Sequence, residues 1–352
     1  MLSRMSCLGY EAETRLICIT ADLDVSVVDT SLDRARASGL VECPRPGLWR
    51  FTHDQVQQGA YALISDNERE ELHLWIGRKL WASYNNDEDS VGLHVVLAQL
   101  RKGARLIEDE DERYRGAELM LHAGERASVT SSFALAASYL QMGIDLLGKR
   151  HWRDEYVLSL NLYNAAAEVA YCLGNFSESR FLIDEVLCNS RCKEDEVRTL
   201  SLAMCLRASS NELREAIDMA VRLLGNLGIS LPVNYLLLRL IASYKKLRRR
   251  LISVTDDEIL ALPHLSDPAK LSAMGVLPIL FSTSFMGRPL LSLVISVRII
   301  DMTLDHGLCS SSAWGFAAIG LTMCSVFKDV DLGTRFARLG LRLLDHLDAR
   351  EW

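Results

Sequence analysis

Apolar positions recur at helical spacing along most of the chain. Leu72, Ile76 and Leu80 fall every four residues, with Trp75 widening the stripe, and predict a helix that starts near Asp66. Just upstream, Val56, Ala60, Tyr61 and Ile64 give a second helix its apolar face. Asp54 is expected to cap that helix, and Gln57, three residues later, to complete a capping box. Before it the pattern changes. Asp29–Gly39 reads as a helix ending at a glycine. Two β-prone runs follow, Leu40–Glu42 and Leu48–Phe51, around the turn Cys43-Pro-Arg-Pro-Gly47. A helix feeding directly into a small hairpin is a winged-helix-like pattern. Residues 85–90 (Asn-Asn-Asp-Glu-Asp-Ser) read as a polar loop, and no strand pattern follows it.

From about residue 113 the helical pattern repeats. A tetratricopeptide unit is a helix hairpin of ~34 residues. It needs small side chains where its two helices touch, because a bulky one would push the backbones apart. Gly124 and Ala127, then Phe133, Ala136 and Gly143, fit that template. A second pass has Ala167 and Ala170, then Gly174, Asn175, Phe176, Ser179 and Val186. The third reads Met204, then Asn211, Leu213, Ala216 and Leu223; the fourth, Cys324, then Val330, Gly333, Ala337 and Gly340. The spacing drifts, so the units are tetratricopeptide-like rather than strict copies. Leu231-Pro232 and Leu262-Pro263-His264 mark a longer connection. The expected fold is mainly all-α: a winged-helix-like module at 1–65, connecting helices at 66–112, and an α-solenoid of tetratricopeptide-like hairpins at 113–230. Linker helices at 231–266 and further repeats at 267–352 complete it.

Composition agrees. Only 7 of the 352 residues are Pro and 49% are hydrophobic, enough for a large core. The net charge of −7 gives no global attraction to nucleic acid or to a membrane. Nine scattered cysteines without a Cys-x-x-Cys pair argue for a reducing compartment, and so for the cytoplasm. The most apolar region runs from Leu271 to Ile300; its uncharged part, Leu271–Gly287, is just short of the ~20 residues a membrane span needs, and reads as a buried helix.

Local motifs for catalysis are missing. Gly143–Arg150 approaches the phosphate-binding loop G-x-x-x-x-G-K-[ST], but Arg150 has no hydroxyl for Mg²⁺ and the segment continues a helix. No Gly-x-Ser-x-Gly or His-Glu-x-x-His occurs. Lys245, Lys246, Arg248, Arg249 and Arg250 form the one strong basic cluster. Such a cluster can bind RNA, anionic lipid or an acidic partner; the favoured reading is a solvated helix face, with Leu247 and Leu251 turned inward. The helix from Asp29 carries Arg34 and Arg36, as a DNA-reading helix would, but Asp29 and Asp33 flank them.

The string Phe51-Thr-His-Asp-Gln-Val-Gln-Gln-Gly-Ala-Tyr-Ala-Leu-Ile64 resembles the segment after the ATPase core in large multidomain sensor kinases with an AAA-type signal-transduction ATPase. The resemblance continues through Leu72–Arg78, Gly103–Leu106, Ala123-Gly124, Ala136–Leu140, Ala165–Asn175, Leu227–Pro232 and Leu262-Pro263. It implies a non-catalytic regulatory and protein-interaction scaffold, with protein or peptide partners or adjacent domains of a parent chain. It also implies that this chain is a fragment of such a parent and has no cofactor of its own; ATP or ADP would be met only through an upstream domain. In that setting His53, followed by Asp54, resembles a His-Asp pair whose imidazole meets the β-phosphate of ADP. The alternative within the same class is a transcription regulator that uses the winged helix on DNA.

Overall fold

A computed structural model describes residues 1–84, 90–231 and 236–347. Most of the polar loop expected at 85–90, and Pro232 of the expected connection, lie outside the described residues. The chain divides into two compact units, Met1–Ser159 and Leu160–Trp352.

The first unit opens with α1 (Leu2–Leu8), β1 (Glu11–Glu13), α2 (Thr14–Ala21), α3 (Val25–Ala37), β2 (Val41–Arg45), β3 (Leu48–Phe51) and α4 (Asp54–Ala62). The three strands form one antiparallel sheet in the order β1-β3-β2, with Glu11 opposite Arg50 and Val41 opposite Phe51. Pro44 is tolerated because β2 is an edge strand, and the register slips between Glu42 and Arg45. Met5, Ile17, Val28, Leu32, Val41 and Phe51 are buried together and hold helices and sheet as one core. The helix expected from Asp29 begins four residues earlier. The elements α1, β1 and α2 were not expected at all. They have 7, 3 and 8 residues, too short for periodicity to register.

The expected cap is also different. His53, with extended backbone, is the N-cap of α4, and Asp54 is already in its first turn. No side chain caps the helix, so there is no capping box. Gln57 instead donates from Nε2 to the carbonyl of Ser6 at 3.0 Å. Short helices leave their last carbonyls without intrahelical partners, and that carbonyl of α1 outcompetes a local cap.

Beyond this module come α5 (Asp66–Ser83), α6 (Ser90–Gly103), a 3₁₀ turn (Ala104–Leu106), α7 (Glu110–Val129), α8 (Phe133–Leu146), α9 (His151–Asp154) and α10 (Tyr156–Cys172). The second unit continues with α11 (Phe176–Asn189), α12 (Glu196–Ser209), α13 (Leu213–Asn226), α14 (Leu236–Ile252) and α15 (Asp256–Leu260). It ends with α16 (Pro268–Gly287), α17 (Pro289–His306), α18 (Ser310–Ser325) and α19 (Val330–His346). The fold is thus mainly α-helical.

The four hairpins expected from small residues are α7/α8, α10/α11, α12/α13 and α18/α19. All four turns share a device. The residue two before the second helix is left-handed: Ser131 (φ 57), Gly174 (φ 77), Asn211 (φ 62) and Lys328 (φ 57). The next residue's N–H then reaches back to a carbonyl in the helix just ended. These bonds are Ser132 to Ala127 (2.8 Å), Asn175 to Ala170 (2.9 Å), Glu212 to Arg207 (2.9 Å) and Asp329 to Met323 (3.0 Å). The first three are the Schellman type of closure and the fourth reaches back one residue further; each satisfies a carbonyl that a helix end leaves open. Small residues do set the approach of the paired helices. A Cβ on Gly124 would lie 2.6 Å from Leu140 Cγ, Ala136 is fully buried, and Ser179 donates to the Ala167 carbonyl at 2.9 Å. Phe176 is 43% exposed and packs beside the turn, its ring 5.7 Å from that of Tyr171.

Gly174 gives a direct check. No atom lies within 4 Å of a Cβ built there, so crowding is absent and only the left-handed backbone matters. Gly174→Leu is expected to cost about 1–2 kcal/mol. Gly174→Asn should cost clearly less, because Asn tolerates this conformation and already occupies it at Asn211. Equal melting temperatures for wild type and Gly174→Leu would refute this reading of the turn.

Among the described residues, two cores pack the later helices of the second unit. Ile217, Leu224, Leu277, Ile295 and Ile299 join α13, α16 and α17. Leu247, Ile300, Phe316, Phe336 and Leu343 join α14, α17, α18 and α19. Helix α16 is long and apolar enough to cross a membrane. Here Ala273, Met274, Leu277 and Leu280 are buried in the first of these cores.

Candidate functional site

His53 follows β3 on a firmly held loop. The Thr52 N–H donates to the Leu40 carbonyl at 3.1 Å, and its hydroxyl donates to the Gly39 carbonyl at 2.8 Å. Gln57 holds the first turn of α4 to α1. The His53 and Asp54 side chains are exposed, beyond these anchors.

Behind α4 lies a buried polar chain. His73, 1% exposed, accepts from the Tyr61 hydroxyl at Nε2 (2.9 Å). Its Nδ1 donates to Gln99 Oε1 (2.6 Å), and Gln99 Nε2 donates to the Cys7 carbonyl (2.8 Å). The assignment follows from the bonds: an amide oxygen can only accept, so Nδ1 carries the proton of a neutral ring. The chain links α4, α5, α6 and α1, and so fixes the sheet-bearing module on the first long hairpin. Burial, with a smaller push from Lys102, holds His73 below its ordinary value of 6.5, against the Gln99 hydrogen bond. Burial also pushes the Cys7 thiol up to about 11, so it stays protonated.

A pH dependence follows. Well above 6.5 the ring is neutral whether the chain is folded or unfolded. As pH falls through that value the unfolded chain takes up the proton first, so stability falls with acid until the lower folded value is passed. Urea midpoints should therefore drop between pH 7 and about pH 5.5, and His73→Gln should flatten part of that slope. An identical slope in the variant would exclude His73 as its source.

The basic cluster is partly spent on structure. Arg248 Nε donates to Asp329 at 2.9 Å. Arg250 bridges Asp301 and Asp305 at 2.9 and 2.7 Å. Tyr244 stacks on Phe327 at 3.5 Å. Leu247 and Leu251 are fully buried, while Lys245 and Arg249 face solvent. This is the inward and outward division expected of a solvated helix.

Helix α3 carries Asp29 and Asp33 against Arg34 and Arg36, and Arg36 lies 3.8 Å from Asp33. Its own residues thus hold no excess of positive charge for a phosphate backbone. In the segment resembling a phosphate loop, residues 143–146 lie inside α8 and Leu147 is its C-cap. All nine cysteines are free, with Cys188 and Cys192 both exposed. Sequence pattern does not bring His73 together with Gln99 and Tyr61. Their meeting depends on the α4–α5–α6 arrangement, which no local pattern encodes.

Known proteins add a further comparison. No protein-family model matches the chain. The chain is 24% identical over 339 aligned residues to the hybrid signal transduction histidine kinase G of Dictyostelium discoideum. That alignment spans 84% of this chain but only 10% of the relative's length. Among solved structures, the chain is similar to a Signal Transduction ATPase with Numerous Domains protein with a tetratricopeptide repeat sensor, from Pyrococcus horikoshii. The identity is 14% and the TM-score 0.41, over 99% of this chain and 50% of the other.

Proposed function

We propose that the chain is a non-catalytic regulatory and protein-interaction region of a cytoplasmic signal-transduction ATPase or kinase. The observation that carries this reading is the N-terminal element order. Helix, strand, two helices and two strands, with sheet order β1-β3-β2, support reading 1–65 as a winged-helix module. The similarity to a signal-transduction histidine kinase supports it. Residues 66–112 connect this module to tetratricopeptide-like repeats at 113–230 and 267–352, with linker helices at 231–266. The repeats present helix faces to protein or peptide partners or to other domains. The winged helix couples them to a neighbouring nucleotide site, and the chain holds no cofactor itself.

His53 is the contact in this scheme. A neutral imidazole donates a hydrogen bond to phosphate, and a protonated one adds charge. The test uses a longer chain that includes an ATPase core. His53→Ala should weaken ADP binding by roughly tenfold, the ~1.5 kcal/mol of a charge-assisted hydrogen bond, and raise basal activity. Asp54→Asn should leave ADP affinity nearly unchanged. Unaltered ADP affinity in a folded His53→Ala protein would refute the contact.

A further inference from the structure

Two concavities lie side by side in the first unit, between α6 and α8 and against α7. The larger, about 530 Å³, gathers Arg101, Arg105 and Arg113. Asp145 is the one carboxylate in its lining, and Gln141 already donates to it at 2.9 Å. Arg113 is held in place: its Nε donates to the Leu146 carbonyl at 2.9 Å and one Nη to the Leu147 carbonyl at 3.4 Å. Its other Nη remains for a ligand. Arg101 and Arg105 are exposed, and among the described residues neither pairs with a carboxylate. The pocket therefore carries two excess positive charges in a chain whose net charge is −7. Ile107, Met142 and Leu146 form an apolar floor beside them.

The second concavity, about 310 Å³, begins one helical turn away, where Leu97 precedes Arg101 on α6 and Tyr139 precedes Met142 on α8. Leu93, Leu97, Ala127 and Leu135 make it mostly apolar. The His94 ring nitrogen and the Tyr139 hydroxyl satisfy each other at 2.7 Å. The two pockets thus offer an anion site and an apolar site in one groove.

We propose that this groove binds a phosphorylated segment of a partner protein. The phosphate of a phosphoserine or phosphothreonine sits among Arg101, Arg105 and Arg113, and a nearby apolar side chain enters the second pocket. The inference rests on the protein-interaction reading above and names one site for it. A lone carboxylate is matched by one guanidinium fork. Three arginines lining one pocket suit a near-dianion with three acceptor oxygens. An extended chain advances ~3.3 Å per residue and a helical turn rises ~5.4 Å, so the apolar residue falls about two to four positions from the phosphorylated one.

The test is fluorescence polarisation with the whole chain and two labelled peptide libraries. One fixes phosphoserine and the other serine at the centre, with the same degenerate flanks. The phosphoserine library should bind at least roughly tenfold more tightly and select Leu, Ile, Val or Phe at one flanking position. The double variant Arg101→Ala/Arg105→Ala, at exposed positions and with thermal unfolding as a fold control, should abolish the phosphate dependence. Leu135→Asp should erase the apolar selection and keep the phosphate dependence. Equal binding of the two libraries, or phosphoserine binding that survives the double variant, overturns the proposal. Free phosphate or phosphoserine competing as tightly as the library makes the ligand a small anion and overturns the peptide. Serine-library binding that hydrogen exchange maps elsewhere rejects this groove and leaves the scaffold reading standing.

Discussion

Gly320→Leu is expected to abolish cooperative folding of the second unit, or to cost at least about 3 kcal/mol. The reason is backbone against backbone. A Cβ on Gly320 would lie 2.7 Å from the Gly333 carbonyl oxygen and 2.9 Å from the Ala337 amide nitrogen. From the other side, a Cβ on Gly333 would lie 2.8 Å from the Gly320 oxygen, and one on Gly340 would lie 2.9 Å from the Ala313 oxygen. Helices α18 and α19 touch through these glycines, and a main chain cannot turn aside as a side chain can. Phe316 and Phe336, both fully buried, would separate with the helices. Even Gly320→Ala should destabilise, although Ala is favoured over Gly inside a helix by roughly 0.5–1 kcal/mol. Gly225 is the control: it also lies inside a helix, α13, with nothing within 4 Å of a Cβ. Gly225→Ala should be neutral or stabilising. Thermal unfolding of the two alanine variants should therefore shift in opposite directions, or at least differ in that sense. Matching shifts would mean that α18 and α19 do not pack this closely.

The second large effect is expected at Gly307. Its φ of 111 lies outside the range of ordinary side chains, and a Cβ would sit 2.2 Å from the Pro263 carbonyl oxygen. That oxygen accepts from the Leu308 N–H at 2.8 Å, and the Leu308 carbonyl accepts from the Leu265 N–H at 2.8 Å. The pair of bonds ties the connection before α16 to the corner between α17 and α18. Gly307→Val combines backbone strain of about 1–3 kcal/mol with overpacking of similar size. A loss of about 3–4 kcal/mol is the expected outcome in urea unfolding. A midpoint within error of wild type would show that the 263–265 segment does not run against Gly307.

Much of this was legible because helix-hairpin arrays are built from local rules. Gly124, Ala136, Gly174, Asn211, Gly333 and Gly340 are small or turn-forming residues at repeat-like spacing, and each lies in one of the four hairpins. The shared left-handed turn was only half visible: Gly174 and Asn211 signal it, whereas Ser131 and Lys328 adopt it without a sequence cue. The hairpin β2/β3 was legible from Pro and Gly around its turn. Strand β1 was not, since a three-residue strand exists only through its pairing with β3. The capping box failed because Gln57 answers a carbonyl of α1, 51 residues away in sequence. For the same reason the His73 chain and the arginine pocket could not be read ahead: their members come from separate helices and converge only by packing.

The most direct measurement of the central claim is calorimetric titration of the chain with Mg-ATP and Mg-ADP. A regulatory scaffold without a phosphate loop should give no saturable heat up to millimolar nucleotide, and Lys149→Ala should change nothing. Micromolar binding that Lys149→Ala abolishes, and that Arg101→Ala/Arg105→Ala leaves intact, would contradict it.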